Sequence, residues 1–335
     1  MKLKKRVVLL LLGVLLMVGC TAEEDVVLET LHIDSRINRI DDVDEKGMAA
    51  FNADGKWGYL HVDKGIVIEA DYDQVSPYYI GYTVLVKDGK SQLANRQGQL
   101  VLEDWIDDYI EYNIMTEAYT YYDVTTSKHI ILDLEELEPP YTYPDSEFGG
   151  WDLGRYRYHV VGNKGNLYDK ETKKLVFDDY YVTLREVYAI EKEEDTYRYF
   201  IMENKDGLGF SEVVDGEAKT IVYGSFRGGK LFGETETIVM GDGEKRQLFD
   251  FDGNLLFDAD GIERQMSYEV SDRRIAFKEN GKWGFLDAVT GEVSIEQSYH
   301  EARDFHNGYA VVYIDRYQIG IINTEGRLLV VNDDE

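Results

Sequence analysis

The sequence predicts an all-β fold made of about eight copies of one β-meander, each of roughly 37 residues. Three observations support this. The segment GKWGYLHVDKGIV at residues 55–67 returns as GKWGFLDAVTGEV at residues 281–293. Apolar and polar residues alternate over runs of about five positions, which is the period of a half-buried strand. Glycine is frequent (31 residues) and proline is rare (4 residues), as expected for many short strands joined by tight turns.

Each copy is predicted to contain three strands followed by an aromatic-led segment. In the first copy the strands are GMAAF (47–51), WGYLH (57–61) and IVIEA (66–70), and DYDQV (71–75) follows. One such unit cannot bury its apolar face alone, so neighbouring copies must stack. With the place of Trp57 as a marker, the copies fall at positions 57, 91, 129, 165, 208, 246, 283 and 319.

The two tryptophans are predicted to be core residues that fill the gap between adjacent sheets. Strand side chains alternate between faces, so Trp57 should lie on the same face as Tyr59, and Trp283 on the same face as Phe285. Large rings at a fixed place in a repeat are expected to support the fold and not to bind a ligand.

A glycine follows each tryptophan, at Gly58 and Gly284, and Gly320 keeps that place in the last copy. Because glycine has no Cβ atom, its presence at this place predicts that a neighbouring strand's backbone approaches closely or that the strand has a β-bulge. GKWGYL and GKWGFLD, with the downstream glycine, resemble the WG repeat family of bacterial β-repeat proteins. The resemblance is strongest at Trp57 and Trp283, and it implies a repeat β-fold without catalytic residues.

Two architectures fit such a repeat, a propeller-like ring and an open β-repeat solenoid. The last copy stops after RLLVV (327–331), whereas RINRIDDVDEKG (36–47) resembles SYHEARDFHNG (298–308). We therefore predict that segment 36–46 pairs with the last strand and closes a ring, which removes exposed sheet edges. The open solenoid remains the alternative, because four-stranded blades usually have about 40–45 residues.

The N-terminus has the pattern expected of a secretion signal. Basic residues at positions 2–6 precede an apolar run at 7–18, which is too short to span about 30 Å of hydrocarbon as a helix. MVGC, ending at Cys20, resembles the lipobox of bacterial lipoproteins, which implies cleavage before Cys20 and a lipid on that residue. Cys20 is the only cysteine in the sequence, so the exported domain has no internal disulfide.

This reasoning divides the chain into a signal peptide (1–19), a tether (20–35) and a single β-repeat domain (36–335). The predicted location is the extracytoplasmic face of a bacterial cell membrane, with the lipid as anchor. The net charge of the full sequence is −29, and cleavage leaves 32 basic against 65 acidic residues. Such an acidic chain is expected not to bind nucleic acid, and not to bind anionic lipid head groups apart from the lipid anchor, because like charges repel.

The segment between residues 139 and 159 is the candidate partner-binding site. It holds three of the four prolines, which stiffen a loop, and many flat rings with polar tips, which suit glycans and protein partners. The candidate residues are Tyr141, Tyr143, Phe148, Trp151 and Tyr156.

No catalytic residue, metal site or cofactor is predicted. Asp250, Asp252 and Asn254 begin like a calcium loop, but Gly253 comes too early and they fit a turn of the repeat. His300 and His306 are six positions apart and do not have the spacing of a zinc helix.

The predicted function is non-catalytic binding of an envelope protein or a cell-wall glycan. Two alternatives remain open: a glycan-active enzyme that uses carboxylates on a propeller scaffold, and a structural component of the envelope.

Overall fold

The computed structural model describes residues 30–113, 118–123, 128–132, 134, 152–153, 155–161, 164–172, 174–177, 183–191, 196–204 and 207–333. Within these ranges the chain forms 31 β-strands in eight sheets, and no helix, which confirms the predicted all-β class. Consequently no helix in this part of the chain has the length and apolar character needed to cross a bilayer.

The first half of the described chain forms four sheets, named I to IV in chain order. After β1 (Leu31–His32), sheet I contains β2 (Ile37–Ile40), β3 (Met48–Ala53), β4 (Lys56–His61) and β5 (Gly65–Tyr72). Sheet II contains β6 (Gln74–Val75), β7 (Tyr82–Lys87) and β8 (Lys90–Asn95). Sheet III contains β9 (Glu111–Asn113), β10 (Ala118–Asp123) and β11 (Lys128–Ile131). Sheet IV contains β12 (Asp152–Leu153), β13 (Tyr156–Val161), β14 (Lys164–Asp169) and β15 (Lys174–Leu175).

The second half forms sheets V to VIII. Sheet V contains β16 (Thr183–Glu191), β17 (Thr196–Asn204), β18 (Gly207–Val214) and β19 (Glu217–Gly224). Sheet VI contains β20 (Gly228–Phe232), β21 (Thr237–Gly241), β22 (Arg246–Asp250) and β23 (Leu255–Ala259). Sheet VII contains β24 (Arg264–Met266), β25 (Arg274–Glu279), β26 (Lys282–Asp287) and β27 (Val293–Tyr299). Sheet VIII contains β28 (Glu301–Ala302), β29 (Tyr309–Tyr313), β30 (Ile319–Asn323) and β31 (Leu328–Val331), and β1 joins its edge.

The repeat read from the sequence matches these sheets. Each of the eight marker positions is the first or second residue of the third strand of a sheet, from Trp57 in β4 to Ile319 in β30. Strands that follow one another within a sheet pair antiparallel, as short hairpin connections require. The predicted eightfold β-meander is therefore confirmed.

The hydrophobic core is divided into clusters, most of which lie between neighbouring sheets. Tyr59 of sheet I packs with Leu85 of sheet II, and Phe285 of sheet VII packs in one cluster with Val312 of sheet VIII. Equivalent clusters join sheets II and III, IV and V, V and VI, and VI and VII. Sheets I, II, V, VI, VII and VIII thus bury apolar residues against both neighbours, which is the packing of propeller blades.

The last sheet packs against the first, so the array closes into a propeller-like ring. One cluster contains Ile40 and Phe51 of sheet I together with Val311 and Ile321 of sheet VIII. Polar contacts reinforce this junction, because Asn332 Nδ2 donates a hydrogen bond to the Ile37 carbonyl oxygen at 2.6 Å. An open solenoid would leave these two sheets apart.

The strand that closes the ring differs from the predicted one. Residues 31–32 (β1), and not segment 36–46, pair with β31, with Leu31 opposite Val330, and the pairing is parallel. Residues 37–40 instead form the first strand of sheet I. The fold therefore includes residues before the predicted boundary at 36, because β31 would otherwise leave an unpaired edge.

The glycine that follows the marker position in sheets I, VII and VIII lies where the next strand bulges. A Cβ atom on Gly58 would lie 2.3 Å from the Ile68 carbonyl oxygen, and one on Gly284 would lie 2.5 Å from that of Ile295. The register shifts at both positions, as at a β-bulge. A Cβ atom on Gly320 would likewise meet the Val330 carbonyl oxygen at 2.7 Å. The predicted close backbone approach is confirmed, and it explains why glycine occupies this place.

Candidate functional site

A pocket of about 470 Å³ lies between sheets I and II. One wall comes from β2, β3, β4 and the β2–β3 loop (residues 41–47), and the other from residues 74–78 at the start of sheet II. We name it the acidic pocket, because Asp41, Asp42 and Asp44 all line it.

The three carboxylates of the acidic pocket differ in their partners. Asp44 pairs with Arg96 of sheet II, Nη1 to Oδ2 at 2.5 Å, and Arg96 is largely buried. Asp41 accepts from Arg39 Nε at 2.8 Å. Asp42 is about half exposed (52%), and its contacts with the β28–β29 loop are longer: Arg303 lies at 3.5 Å and His306 at 3.9 Å. Asp42 is therefore the carboxylate in this pocket most accessible to an incoming cation.

Aromatic rings form the base of the acidic pocket. Tyr59 and Tyr78 meet edge to face, with ring centroids 4.8 Å apart, and both are lining residues. Burial raises the pKa of both hydroxyls above the usual value of tyrosine, so both stay neutral over the physiological range. The Tyr59 hydroxyl donates to the Ser76 carbonyl oxygen and the Tyr78 hydroxyl to that of Asn95, which fixes the two rings.

Trp57 lines this pocket and is half-buried, which corrects the prediction that its ring belongs to the core. The Arg39 guanidinium lies over the ring, 5.0 Å from its centroid. Trp283 is also half-buried and not a core residue: it packs against the edge of the cluster between sheets VII and VIII, with Lys278 Nζ 6.0 Å from its ring centroid. Both rings lie where the repeat meets solvent, whereas Tyr59 and Phe285 provide the buried packing.

A second pocket, of about 290 Å³, lies beside the first, between sheets II and III. We name it the tyrosine pocket, because Tyr79, Tyr109 and Tyr112 line it. The rings of Tyr79 and Tyr112 are stacked, with centroids 4.6 Å apart and an interplanar angle of 5°. Tyr109 is 53% exposed and Glu111 is exposed, so both can contact a ligand.

Ser76 and Pro77 line both pockets and separate them. This ridge is firmly held: Val84 N donates to Ser76 Oγ at 2.8 Å, and Thr83 Oγ1 donates to the Ser76 carbonyl oxygen at 2.5 Å. The next turn has Ile80 at φ 45°, an unfavourable conformation for a β-branched residue, and buries that side chain in the cluster between sheets II and III. The two pockets form one preorganised groove, which we call the two-pocket groove.

A separate group of acidic side chains lies near the junction of sheets VII, VIII and I. Asp304, in the β28–β29 loop, is half-buried, and burial raises the pKa of its carboxyl above the usual value. The Ser267 hydroxyl hydrogen-bonds to it and opposes this rise, whereas the charges of Glu269 and Asp42 add to it and that of His306 opposes it. Asp304 thus holds its proton more strongly than an exposed aspartate does.

Most of the predicted partner-binding residues lie outside the described part of the chain. This applies to Tyr141, Tyr143, Phe148 and Trp151, and also to the lipidation site Cys20. Tyr156 is described, and it is 2% exposed. Its ring packs edge to face with Phe200, in the cluster between sheets IV and V. It therefore stabilises the fold and offers no exposed surface to a partner.

The other motifs of the sequence are turns and loops. Asp250 and Asn254 form the turn between β22 and β23, where Asp250 Oδ1 accepts from Asn254 N at 2.7 Å. His300 and His306 lie on either side of the short strand β28. Among the residues that the structure describes, no three His, Cys, Asp or Glu side chains are placed to hold a metal ion.

The groove was not predicted from the sequence. Besides strand residues of the repeat such as Trp57 and Tyr59, its walls contain residues 39–44 and 74–78, which lie in or beside the links between copies. The one signal was the acidic run DDVDE at 41–45, which falls in the stretch compared with residues 298–308.

Comparison with known proteins supports the repeat. The family model described as WG containing repeat matches residues 57–90 and 283–316, so the chain contains WG repeats at both places where the resemblance is strongest. A comparison with curated protein sequences finds no match for this chain.

Solved structures similar to this chain are distant in sequence. One is the crystal structure of a eukaryotic initiation factor, with 10% identity and a TM-score of 0.32 over 91% of this chain and 89% of that chain. Another is Hsv2 of Kluyveromyces lactis, with 7% identity and a TM-score of 0.29 over 89% of this chain and 98% of that chain. A third is BamB from Moraxella catarrhalis, with 11% identity and a TM-score of 0.27 over 81% of this chain and 90% of that chain.

Proposed function

We propose that this WG-repeat protein is a non-catalytic scaffold, anchored to the extracytoplasmic face of a bacterial membrane by a lipid on Cys20, that binds an envelope partner through the two-pocket groove. The observation that carries the proposal is the preorganised pair of pockets, of about 470 and 290 Å³, on either side of one ridge. Binding sites on proteins are typically concave, largely preformed and lined by aromatic side chains with a few polar groups.

Hydrogen bonds hold the side chains at the base and ridge of the groove in place. Tyr59, Tyr78 and Ser76 are each fixed by hydrogen bonds to a neighbouring strand or loop. A preformed site spares a ligand the cost of ordering the side chains that it contacts. Tyr109 is the exposed ring at the site, and a ring of this kind provides contact area at low entropic cost.

The anchor is supported by the sequence alone: a basic start and an apolar run lead directly to Cys20. Lipid on this residue would place the domain close to the membrane, because β1 of the fold begins at Leu31. In cells, Cys20→Ser should release the protein from membranes or block its processing. Unchanged fractionation and unchanged signal cleavage in the variant would contradict the anchor.

The binding function is tested by capture from native envelope extract with two matched variants. Tyr109→Ala removes the exposed ring of the tyrosine pocket, and Tyr317→Ala removes a ring that is 85% exposed in the turn between β29 and β30 and lines neither pocket. We expect Tyr109→Ala to lose a partner that wild type and Tyr317→Ala retain. If all three proteins retain the same partners, or none retains any, the groove is not a binding site.

A second candidate function is glycan hydrolysis, and the raised pKa of the Asp304 carboxyl favours it. Glycosidases pair a protonated carboxylic acid with an ionised carboxylate, and Asp304 has a raised pKa near the carboxylates of Asp42 and Glu269. Release of reducing sugar from cell-wall glycan by the wild-type protein, lost in Asp304→Asn, would favour the enzyme over the scaffold.

A further inference from the structure

We infer that the two-pocket groove takes an extended polypeptide segment of a partner protein and holds one of its lysine or arginine side chains in the acidic pocket. This inference rests on the proposed binding function and names the class of ligand. Two features carry it: the division of the groove by a ridge, and the charge of its lining.

The shape of the groove favours an extended occupant. The two pockets share Ser76 and Pro77, so a ligand that fills both must cross this ridge. An extended chain places successive side chains on opposite sides of its backbone, and residues two apart on the same side. One side chain can then enter the acidic pocket while a later one on the same side enters the tyrosine pocket.

The charge of the groove selects a cation. Among the described lining residues, the acidic pocket has three aspartates and Arg39, and the tyrosine pocket has Glu111 and no basic side chain. Arg96 and Arg303 reach Asp44 and Asp42 from outside this lining. Asp44 and Asp41 are already paired with Arg96 and Arg39. The net charge of −29 adds a long-range attraction for basic partners.

Asp42 is the carboxylate of the acidic pocket to which a ligand cation can bind, because its own ion-pair contacts are long. Its carboxylate is about half exposed, and the Arg303 and His306 side chains stay at 3.5 and 3.9 Å from it. A partner ammonium or guanidinium group can approach more closely and form a shorter, charge-assisted hydrogen bond. A neutral glycan can donate hydrogen bonds to this carboxylate but brings no positive charge to pair with it, whereas a basic side chain brings both. Tyr109 offers an exposed ring to an aromatic or apolar side chain of the same peptide.

The test measures the fluorescence anisotropy of a short fluorescein-labelled peptide as it is titrated with the purified full-length protein. Lysine and tyrosine alternate at every second position of this peptide and serine fills the positions between them, so that both kinds of side chain lie on the same side of an extended backbone. A matched peptide has glutamine in place of every lysine, and labelled chitotetraose serves as the glycan probe. Asp42→Asn with Glu111→Gln removes the charges of the two exposed carboxylates that line the groove. Glu217→Gln with Glu292→Gln removes two exposed charges elsewhere and controls for diffuse attraction.

We expect the lysine peptide to bind at least about tenfold more tightly than the glutamine peptide and chitotetraose, with an affinity that falls as salt rises. The groove double variant should weaken binding by about tenfold, and the control double variant should leave it unchanged. Equal loss in both double variants, preference for chitotetraose, or no binding at about 1 mM protein would overturn the inference.

Tyr109→Ala separates this inference from the proposed function. If it abolishes binding of the glutamine peptide or of chitotetraose while the acid-to-amide variants have no effect, the groove is a binding site and only the cationic ligand is wrong. If it leaves the binding of every probe unchanged, the groove is not the site and the proposed function fails as well.

Discussion

Asp169 provides the sharpest test of how these sheets are held together. Its carboxylate is fully buried at the end of β14, where it accepts from Arg155 Nε at 3.1 Å and Nη2 at 2.9 Å. It also accepts from Glu171 N at 2.9 Å and Thr172 Oγ1 at 3.0 Å. All of these donors favour the ionised form, and the Arg155 hydrogen bonds lower the pKa of Asp169 from 3.8 to about 2.

We predict that Asp169→Asn, which mimics the protonated carboxyl, lowers the free energy of unfolding at neutral pH by roughly 2.5 kcal/mol. This magnitude follows from the fall in pKa at about 1.4 kcal/mol per pH unit. Because the folded-state pKa is depressed, the stabilisation is fully present above pH 3.8 and is lost as the pH falls towards about 2. The variant and the wild type should therefore converge in acid.

The assay is urea denaturation, followed by fluorescence, at a series of pH values from 7 down to about 2.5. Asp287→Asn is the matched control: it removes the equivalent aspartate at the end of β26, whose partner Arg273 is more exposed than Arg155, so the loss should be smaller. A difference between wild type and Asp169→Asn that stays constant with pH would refute the reasoning, as would a variant as stable as wild type at pH 7.

Three further predictions address the fold. Gly58→Ala should destabilise the protein by several kcal/mol, because its Cβ would meet the Ile68 carbonyl oxygen. Gly55→Ala should cost about 1–2 kcal/mol, because Gly55 has open space around it but a φ of +80°. Denaturation of both variants measures the two losses. Asp304→Asn should raise the melting temperature at pH 7, because the raised pKa of the Asp304 carboxyl in the folded state means that ionising it costs stability. The gain should vanish below pH 3.8, where the carboxyl is protonated in both states, and a gain that is constant with pH would contradict this cause. Deleting residues 21–33 removes β1 and the buried Ile33 and should lower the melting temperature of the whole ring, whereas deleting residues 21–29 should not; equal melting of both would show that β1 does not close the ring.

The repeat could be read from the sequence because it is a local property. A period of two in apolar residues defines a strand, and a glycine after the marker position permits the bulge at Gly58 and Gly284, whatever lies farther away. A second local signal marks the turn after the third strand of a sheet. The residue four positions after the marker is often Asp or Asn, as at Asn95, Asp169 and Asn323, and it caps the following turn by accepting backbone N–H groups.

The ring closure and the groove depended on contacts that no local pattern contains. The sequence predicted that the two ends of the chain meet, but whether segment 36–46 or residues 31–32 would cover β31 depended on packing between residues about 300 positions apart. Trp57 follows the same strand pattern as Tyr59, yet it is half-buried, because sheet II does not cover it and a pocket remains there. The alternation of side chains assigns a residue to a face of its sheet, but only the approach of the neighbouring sheet determines whether that face is core or groove.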